Sequence, residues 1–222
     1  MFSQLPLSGV PHIQVSRRPF THKGGNVSDD HDNQHKGDSW TRAYIGLGSN
    51  EGDRLGYVQQ AMQLLKDYPD IEVVECSSLY ETEPVGNDYE EWFVNAVASI
   101  ETTLPVKELL KVCKLIEKRL ASLAGADSPE VLHEGPDGIR RTRIIDLDIL
   151  FYGDNRVKLP DLMVPHPQLT KRAYALVPLL EIAPEFVHPT LGKTVAEIHE
   201  NLDAPEQVFL YGTRDPISDF DP

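Results

Sequence analysis

The sequence predicts an α+β fold in which helices pack on the faces of a mainly antiparallel sheet. Two patterns alternate along the chain: short runs of β-branched and aromatic residues, and longer runs in which apolar residues recur every three or four positions. In chain order they predict strand, helix, strand, strand, helix and strand. This β-α-β-β-α-β order is that of a ferredoxin-like sheet.

The first half of the chain supplies three strands and one helix. Residues 43–47 predict the first strand, residues 48–53 a tight loop, and residues 55–68 a helix. Residues 71–80 and 93–100 predict the second and third strands. The loop is only a weak phosphate-binding signature, because it lacks both the Lys-Ser/Thr pair of a P-loop and the G-x-G-x-x-G spacing.

The second half supplies the remaining helix and strand of the core. Pro105 begins the second helix, a position that proline tolerates well. Residues 121–138 predict a long polar loop, and such a loop inside a compact domain is often functional. Residues 140–151 predict the fourth strand. Two shorter helices are expected after it, at residues 170–178 and 195–202.

We expect one folded domain, residues 40–202, between two tails. Residues 1–39 are too polar to contribute a core. Residues 1–28 contain basic but no acidic residues, which resembles a weak mitochondrial transit peptide. A disordered extension or an interdomain linker explains this segment equally well. The acidic residues 203–222 are expected to form a loose C-terminal tail.

Composition and charge restrict the classes of function. The hydrophobic content of 40% suits a globular protein, and no apolar run is long enough to span a membrane. Two cysteines provide no disulfide framework and favour a reducing compartment. We therefore expect a cytoplasmic protein, or a mitochondrial one if the N-terminal segment is a transit peptide. The net charge of −14 disfavours nucleic acid or an anionic membrane as the partner.

Residues 140–151 carry the strongest functional signal. Strand side chains alternate between faces, so Asp146 and Asp148 share one face of this strand. The other face is predicted to be apolar, with Ile145, Leu147, Ile149 and Phe151. Two carboxylates side by side need a cation between them, and Mg²⁺ commonly binds one or two carboxylates together with phosphate oxygens. A strand with a solvated acidic face is the alternative.

Three other residues are unusual for their surroundings. Asn95 lies in an apolar strand, so its amide must either bind a heterocycle or satisfy backbone groups, and spacing alone does not decide between these. His166 lies between two prolines, which stiffen its backbone and modestly favour a functional role over a structural one. Glu117 is an acidic exception near the apolar side of the second helix.

Several of these segments together resemble one family, the 6-hydroxymethyl-7,8-dihydropterin pyrophosphokinases of folate biosynthesis. The matching segments follow the family's order and spacing: residues 43–50, 81–86, 93–96, 143–150 and 164–172. The sequence of residues 143–152 is similar to that of the kinase module of fungal multifunctional folate enzymes. In those enzymes the module accompanies dihydroneopterin aldolase and dihydropteroate synthase modules, which this chain does not contain.

The resemblance implies an ATP-dependent pyrophosphokinase. In that reaction the hydroxymethyl oxygen of the pterin attacks the β-phosphorus of ATP, and AMP leaves. Two Mg²⁺ ions are implied at Asp146 and Asp148, where they would bridge the phosphate oxygens of ATP. The implied catalytic residues are Arg143, Asp146, Asp148 and His166. Other folate-pathway enzymes are implied as partners.

The resemblance also implies two adjoining binding sites. The implied ATP site comprises Lys114, Glu117, Arg143, Ile149, His166 and Arg172. The implied pterin site comprises Thr82, Val85, Phe93, Asn95 and Tyr174. Within it Asn95 reads the edge of the ring, while Phe93 and Tyr174 stack on its faces.

The chain departs from the family pattern on the phosphate side. Lys114 replaces a usual glutamine, and residues 121–124 lack arginine where the family carries a Gly-Arg-x-Arg run. Loss of such arginines could cost about 10³-fold in rate unless other cations replace them. The basic residues available for this are Lys118, Arg119, Arg140 and Arg141.

The missing arginines leave two alternatives to an active pyrophosphokinase. One is a catalytically weak or inactive module that binds ATP and the pterin and serves as a partner or scaffold of other folate enzymes. The other is a different metal-dependent nucleotidyl or phosphoryl transferase on a similar sheet. Turnover with ATP and the pterin distinguishes the active enzyme from the binding module, and substrate profiling distinguishes it from the other transferase.

Overall fold

A six-stranded antiparallel sheet forms the centre of the protein. The computed structural model describes residues 40–85, 91–135, 138–203 and 205–212, so the segment considered as a transit peptide lies outside the described residues. The strands are β1 (Thr41–Ser49), β2 (Ile71–Cys76), β3 (Tyr80–Thr82), β4 (Phe93–Thr102), β5 (Glu130–Gly135), β6 (Gly138–Arg143), β7 (Asp146–Tyr152), β8 (Val157–Lys158), β9 (Met163–Val164) and β10 (Val208–Leu210). The helices are α1 (Arg54–Lys66), α2 (Val106–Leu123), α3 (Ala173–Ile182) and α4 (Val195–Glu200), with a 3-10 turn at Leu169–Lys171.

The strand order confirms the predicted α+β architecture. The sheet runs β10-β3-β4-β1-β7, and β2 also pairs with β4 beside β3. Every pairing within it is antiparallel. The predicted β-α-β-β-α-β core therefore corresponds to β1, α1, β2 with β3, β4, α2 and β7. Two further two-stranded sheets, β5-β6 and β8-β9, lie beside it.

The sheet has a core on each face because its strands alternate in apolar side chains. Helices α1 and α2 cover one face, where the core includes Ile45, Leu47, Ala96, Ala98, Leu147 and Ile149. Helices α3 and α4 cover part of the other face, where the core includes Tyr44, Val97, Phe151, Leu176 and Leu179. On this second face the helices leave an uncovered area of sheet. That area becomes the floor of the site.

Local capping explains where several helices begin. Asp53 caps α1 by accepting a hydrogen bond from the backbone N–H of Gly56. Pro105 precedes α2, where its missing N–H removes no helical hydrogen bond. Thr194 and Glu197 form a reciprocal capping box at the start of α4. Among the described residues, no helix is both long enough and apolar enough to cross a membrane.

The single strand predicted at residues 140–151 is divided and bulged. β6 ends at Arg143 and β7 begins at Asp146. In the pairing of β1 with β7, Tyr44 lies opposite Phe151 and Ile45 opposite Ile149, so Leu150 is an extra residue. The bulge moves Phe151 to the face of Tyr44, with 6.2 Å between their ring centroids. The prediction that Phe151 shares a face with Ile145, Leu147 and Ile149 is wrong for this reason.

Two segments predicted to lack regular structure contain strands. The predicted loop at residues 121–138 includes the end of α2 and β5, which pairs with β6 in antiparallel register. Polar residues occupy much of β5, so hydrophobic periodicity did not indicate it. The predicted acidic tail includes β10, which pairs with β3 at the edge of the sheet. β10 is only three residues long, too short for a reliable periodic signal.

Candidate active site

Two glycines of the central strand create the floor of a cavity of about 320 Å³. Gly48 lies between Asn95 on β4 and Asp146 on β7, and Gly46 lies opposite Asp148. A Cβ atom at Gly48 would come within 2.5 Å of Oδ1 of Asn95, closer than van der Waals contact allows. The absence of side chains at Gly46 and Gly48 therefore leaves space between the amide of Asn95 on one neighbouring strand and the two carboxylates on the other.

All five residues predicted for the pterin line this cavity: Thr82, Val85, Phe93, Asn95 and Tyr174. Asn95 is 6% exposed, and its Nδ2 donates to Oγ1 of Thr82 over 2.6 Å. Among the described residues its amide thus pairs with a side chain, and its Oδ1 remains available to a ligand. Burial, followed by the nearby charge of Asp148, raises the pKa of Tyr174 to about 12, so its ring stays neutral.

Asp146 and Asp148, the predicted carboxylate pair, lie together on one wall of the cavity, across β1 from Asn95. Oδ2 of Asp146 is 3.1 Å from Nη1 of Arg143, and its Oδ1 is 4.0 Å from Nζ of Lys114. Oδ2 of Asp148 is 4.0 Å from Nε2 of His166. Burial, followed by the neighbouring charge of Asp146, raises the pKa of Asp148, while His166, Lys114 and Arg143 oppose the shift. A bound cation between the two carboxylates would favour their charged forms.

Arginines from two parts of the chain line the cavity. Alternate residues of a strand share a face, so β6 directs both Arg141 and Arg143 to the cavity. Thr142 between them is fully buried, and its Oγ1 is 2.9 Å from Nε2 of His133. Arg172, which precedes α3, also lines the cavity. Within the described part of the chain, three arginines therefore line the cavity.

The structure distinguishes among the cations that were considered as replacements for the missing arginines. Arg141 lines the cavity, whereas Lys118 and Arg119 are exposed on α2 and do not. The side chain of Arg140 lies outside what the structure describes. Arg141 is therefore the replacement that the structure supports among the described residues.

The glycine-rich loop after β1 holds β6 in place. Oδ1 of Asn50 accepts a hydrogen bond from the backbone N–H of Arg143 over 2.6 Å. The backbone N–H of Asn50 donates in turn to the carbonyl of Arg143 over 3.0 Å. Asn50 is 1% exposed, so these bonds are shielded from water. The loop is thus a structural clamp on the strand that carries the arginines.

Glu117 has a comparable role beneath β7. Its Oε1 accepts from the backbone N–H of Leu147 over 2.8 Å and from Nζ of Lys114 over 2.7 Å. Burial raises the pKa of Glu117, while the contact with Lys114 opposes the shift. For Lys114 burial acts to lower the pKa, but the hydrogen bond with Glu117 and the charges of Glu117, Asp146 and Asp148 together outweigh it, so the pKa is raised. Since Leu147 lies between Asp146 and Asp148, Glu117 fixes the backbone that carries both.

Three of the predicted ATP-site residues do not line the cavity: Lys114, Glu117 and Ile149. Lys114 and Glu117 lie directly behind Asp146, as described above. The side chain of Ile149 is 3% exposed and packs in the core under α1 and α2. The remaining predicted residues, Arg143, His166 and Arg172 among them, do line the cavity.

Sequence reasoning missed several lining residues, including Gly46, Gly48, Glu83, Glu130 and Gln168. The two glycines alternate with the core residues Ile45 and Leu47, and this alternation was a usable signal for an open strand face. No comparable signal identifies Glu130, because β5 was not predicted. Glu130 nevertheless lies 3.8 Å from Arg143 across the β5-β6 pair.

Comparison with known proteins gives the arrangement a family. Residues 44–184 match the family model described as 7,8-dihydro-6-hydroxymethylpterin-pyrophosphokinase. The chain belongs to this family. A 2-amino-4-hydroxy-6-hydroxymethyldihydropteridine pyrophosphokinase of Methylorubrum extorquens is 40% identical over 163 residues, which cover 73% of this chain and 94% of the relative. A protein of the same name from Aquifex aeolicus is 38% identical and covers 69% of this chain and 88% of the relative.

Larger relatives contain this pyrophosphokinase domain as one part. The folic acid synthesis protein fol1 of Pneumocystis carinii is 36% identical over 159 residues, but the match spans only 20% of its length. A Plasmodium falciparum structure titled HPPK-DHPS, with pteroate, has a TM-score of 0.55 at 16% identity and covers 73% of this chain and 42% of that one. That likeness supports the fold alone. The chain thus spans a fifth of the fungal relative and less than half of the Plasmodium one.

Proposed function

We propose that the protein transfers pyrophosphate from ATP to 6-hydroxymethyl-7,8-dihydropterin and releases AMP, as a step of folate biosynthesis. The hydroxymethyl oxygen forms a bond to the β-phosphorus. The bond between that phosphorus and the oxygen bridging to the α-phosphorus breaks, and AMP departs with the bridging oxygen. The family membership and the names of the bacterial relatives support this activity.

One observation carries the proposal: a single cavity brings together the amide of Asn95 on one wall and the carboxylates and arginines on another. The amide of Asn95 and the carboxylates of Asp146 and Asp148 lie on strands that flank the glycine face of β1. A ring held at Asn95 would thus present its hydroxymethyl group toward phosphates held near the carboxylates. Such alignment of two substrates supplies much of the rate in phosphoryl transfer.

On the ring side, we infer that Asn95 and Thr82 recognise the edge of the pterin. The buried Nδ2–Oγ1 hydrogen bond between them fixes the amide plane, so Oδ1 has a defined direction. Phe93 and Tyr174 provide flat apolar surfaces for the ring faces, and Val85 adds apolar area at the rim. The neutral hydroxyl of Tyr174 places no charge against the ring.

On the phosphate side, we infer that Asp146 and Asp148 hold Mg²⁺. The two carboxylates line the same cavity and offer oxygen ligands to a hard cation, without a full set of protein ligands around it among the described residues. This suits Mg²⁺, which takes its remaining ligands from phosphate and water. When bound, Mg²⁺ neutralises phosphate charge and orients the phosphates.

The basic residues of this wall would then contact the triphosphate. Arg143, His166 and Arg172 are the proposed phosphate ligands, with Lys114 behind Asp146 adding positive potential. Guanidinium groups bind phosphate oxygens through paired N–H donors, and they stabilise the charge that spreads over phosphorus during transfer. Glu117 acts through the backbone of Leu147, as a support for the carboxylates.

The decisive experiment is turnover of ATP and 6-hydroxymethyl-7,8-dihydropterin with Mg²⁺, followed by chromatography of AMP and the pterin product. We expect equal amounts of both products. The control is the double variant Asp146→Ala, Asp148→Ala, with calorimetric titration of Mg²⁺ and a non-hydrolysable ATP analogue as an independent readout. AMP formation no faster than in this control would refute the activity. Tight binding of both ligands without turnover would instead favour the scaffold alternative.

Fusion in the relatives suggests which enzymes this protein works with. We infer that other folate-pathway enzymes are its functional partners, since the fungal relative and the Plasmodium structures place this domain within longer proteins. A pull-down from cell extract with assay for dihydropteroate synthase tests the association.

Fluorescent tagging at the C-terminus tests whether the protein is cytoplasmic or mitochondrial.

A further inference from the structure

The C-terminal segment, residues 205–212, contacts both walls of the cavity, although no described residue of it lines the cavity. Its strand β10 pairs with β3, so that Val208 lies opposite Thr82 on the ring side. Next to this pair, the carbonyl of Gln207 accepts from the N–H of Glu83 over 2.9 Å. This segment lies beyond residues 44–184, which the family model matches.

Glu206 makes the contacts to the phosphate wall. Its Oε2 accepts from the backbone N–H of Ala173 over 2.7 Å, and its Oε1 accepts from Nη1 of Arg172 over 3.3 Å. The side chains of Glu206 and Arg172 are 11% and 29% exposed, so this ion pair is largely shielded from water. Arg172 itself makes no side-chain capping hydrogen bond to α3. Glu206 therefore caps the helix from a distant part of the chain.

The pairing restricts a side chain that would otherwise be mobile. Arginine has many rotamers, and ordering it on ligand binding costs conformational entropy. Its guanidinium carries five N–H donors, so a bond from one nitrogen to Glu206 leaves others for a second acceptor. Arg172 lines the cavity while Glu206 lies behind it. The ion pair can thus hold Arg172 in the orientation that a phosphate requires.

We propose that Glu206 is a positioning residue for ATP binding, which orders the guanidinium of Arg172 toward the phosphates before ATP arrives. This inference rests on the proposed function, since it takes ATP as the ligand of Arg172. It assigns to the C-terminal segment a role in the affinity for the nucleotide. A purely structural alternative is that Glu206 only caps α3.

The variant Glu206→Gln separates the two roles. Glutamine keeps one oxygen, which can still accept from the N–H of Ala173. Its second group is an NH₂, which cannot accept from Arg172. The cap is therefore retained while the ion pair is lost. Glu200→Gln is the matched control, because Glu200 is exposed on α4 and the change removes the same charge.

The test measures the Kd for a non-hydrolysable ATP analogue with Mg²⁺ by calorimetry, together with KM for both substrates and the melting temperature. We expect Glu206→Gln to weaken nucleotide binding by about 3- to 10-fold, with KM for the pterin unchanged. Glu200→Gln should change neither. The melting temperature of Glu206→Gln should stay within about 2 °C of the wild type, because the cap remains.

A double-mutant cycle with Arg172→Ala decides whether Glu206 acts through Arg172. In the Arg172→Ala background, Glu206→Gln should weaken nucleotide binding by less than about 2-fold. The same factor in both backgrounds, or a nucleotide Kd for Glu206→Gln equal to that of the wild type, would overturn the proposal. Absence of turnover in the wild type would refute the proposed function, whereas the calorimetric cycle would still decide the role of Glu206.

Discussion

Replacing Gly48 with alanine should impair pterin binding while leaving the fold intact. The new Cβ would lie 2.5 Å from Oδ1 of Asn95 and 3.7 Å from Cδ1 of Phe93, so only the amide must move. Asn95 is a flexible side chain, and its rotation relieves the clash at the expense of its 2.6 Å hydrogen bond to Thr82. The backbone pairing of β1 with its neighbours need not change.

The magnitude follows from the hydrogen bonds that a displaced amide cannot make. Two neutral hydrogen bonds to the ring are worth about 1–3 kcal/mol together, which corresponds to roughly 5- to 160-fold in affinity. The loss of the bond to Thr82 costs about 1 kcal/mol of stability. The alanine recovers part of this through reduced entropy of the unfolded chain. The melting temperature should therefore shift by only a few degrees.

Gly46→Ala provides the matched control on the same face of the same strand. Its Cβ would lie 3.4 Å from Cδ2 of Leu150, an ordinary contact. Steady-state assays should show a raised KM for the pterin in Gly48→Ala with its KM for ATP nearly unchanged, whereas the KM of Gly46→Ala for the pterin should stay close to that of the wild type. Combining Gly48→Ala with Asn95→Ala should add little to Asn95→Ala alone. Equal pterin KM values for Gly46→Ala and Gly48→Ala would refute this reasoning.

Three further variants test other parts of the structure. Arg141→Ala should lower kcat/KM for ATP by about 10²-fold, whereas Arg119→Ala, at an exposed residue, should lower it less than about 2-fold. Equal effects of the two variants in kinetic assays would argue against a role for Arg141 in the reaction. Burial acts to raise the pKa of Glu181, but hydrogen bonds from neighbours including Tyr80 outweigh it and the pKa lies below the usual 4.5. The ionised form therefore stabilises the fold above that pH, and Glu181→Gln should lose up to about 0.5 kcal/mol of stability at pH 7. Thermal melts should show this difference from the wild type, and the difference should vanish as acidification protonates the carboxylate. Asp53→Ala removes the cap of α1 and should cost about 1 kcal/mol in urea unfolding without altering either KM.

Local patterns in the sequence predicted most of the core and the carboxylate pair. Alternation along β7 placed Asp146 and Asp148 on one face, and helical spacing located α2. Both signals are local, since they depend on residues two to four positions apart. The resemblance to the pyrophosphokinases supplied the ring-side residues, and the structure brings these into one cavity.

The features that escaped prediction depend on distant pairing. The bulge at Leu150 appears only when β7 is set against β1, because residue types within β7 alone do not reveal an extra residue. β5 and β10 are recognisable through their partners β6 and β3. The contact of Glu206 with Arg172 spans 34 residues. No periodicity within either segment could have indicated it.

The pairing of charges around the cavity explains how a protein with a net charge of −14 can accept an anionic substrate. Arg143 faces Asp146, and Arg172 faces Glu206, so neither arginine is buried without a counter-ion. A triphosphate with Mg²⁺ brings both signs: its oxygens suit the arginines, and its metal suits the aspartates. Binding would then add phosphate oxygens as further partners of the arginines and the metal as a partner of the aspartates, which avoids the desolvation penalty of burying an unpaired charge. The local arrangement of charge, more than the overall sign, determines what this cavity can bind.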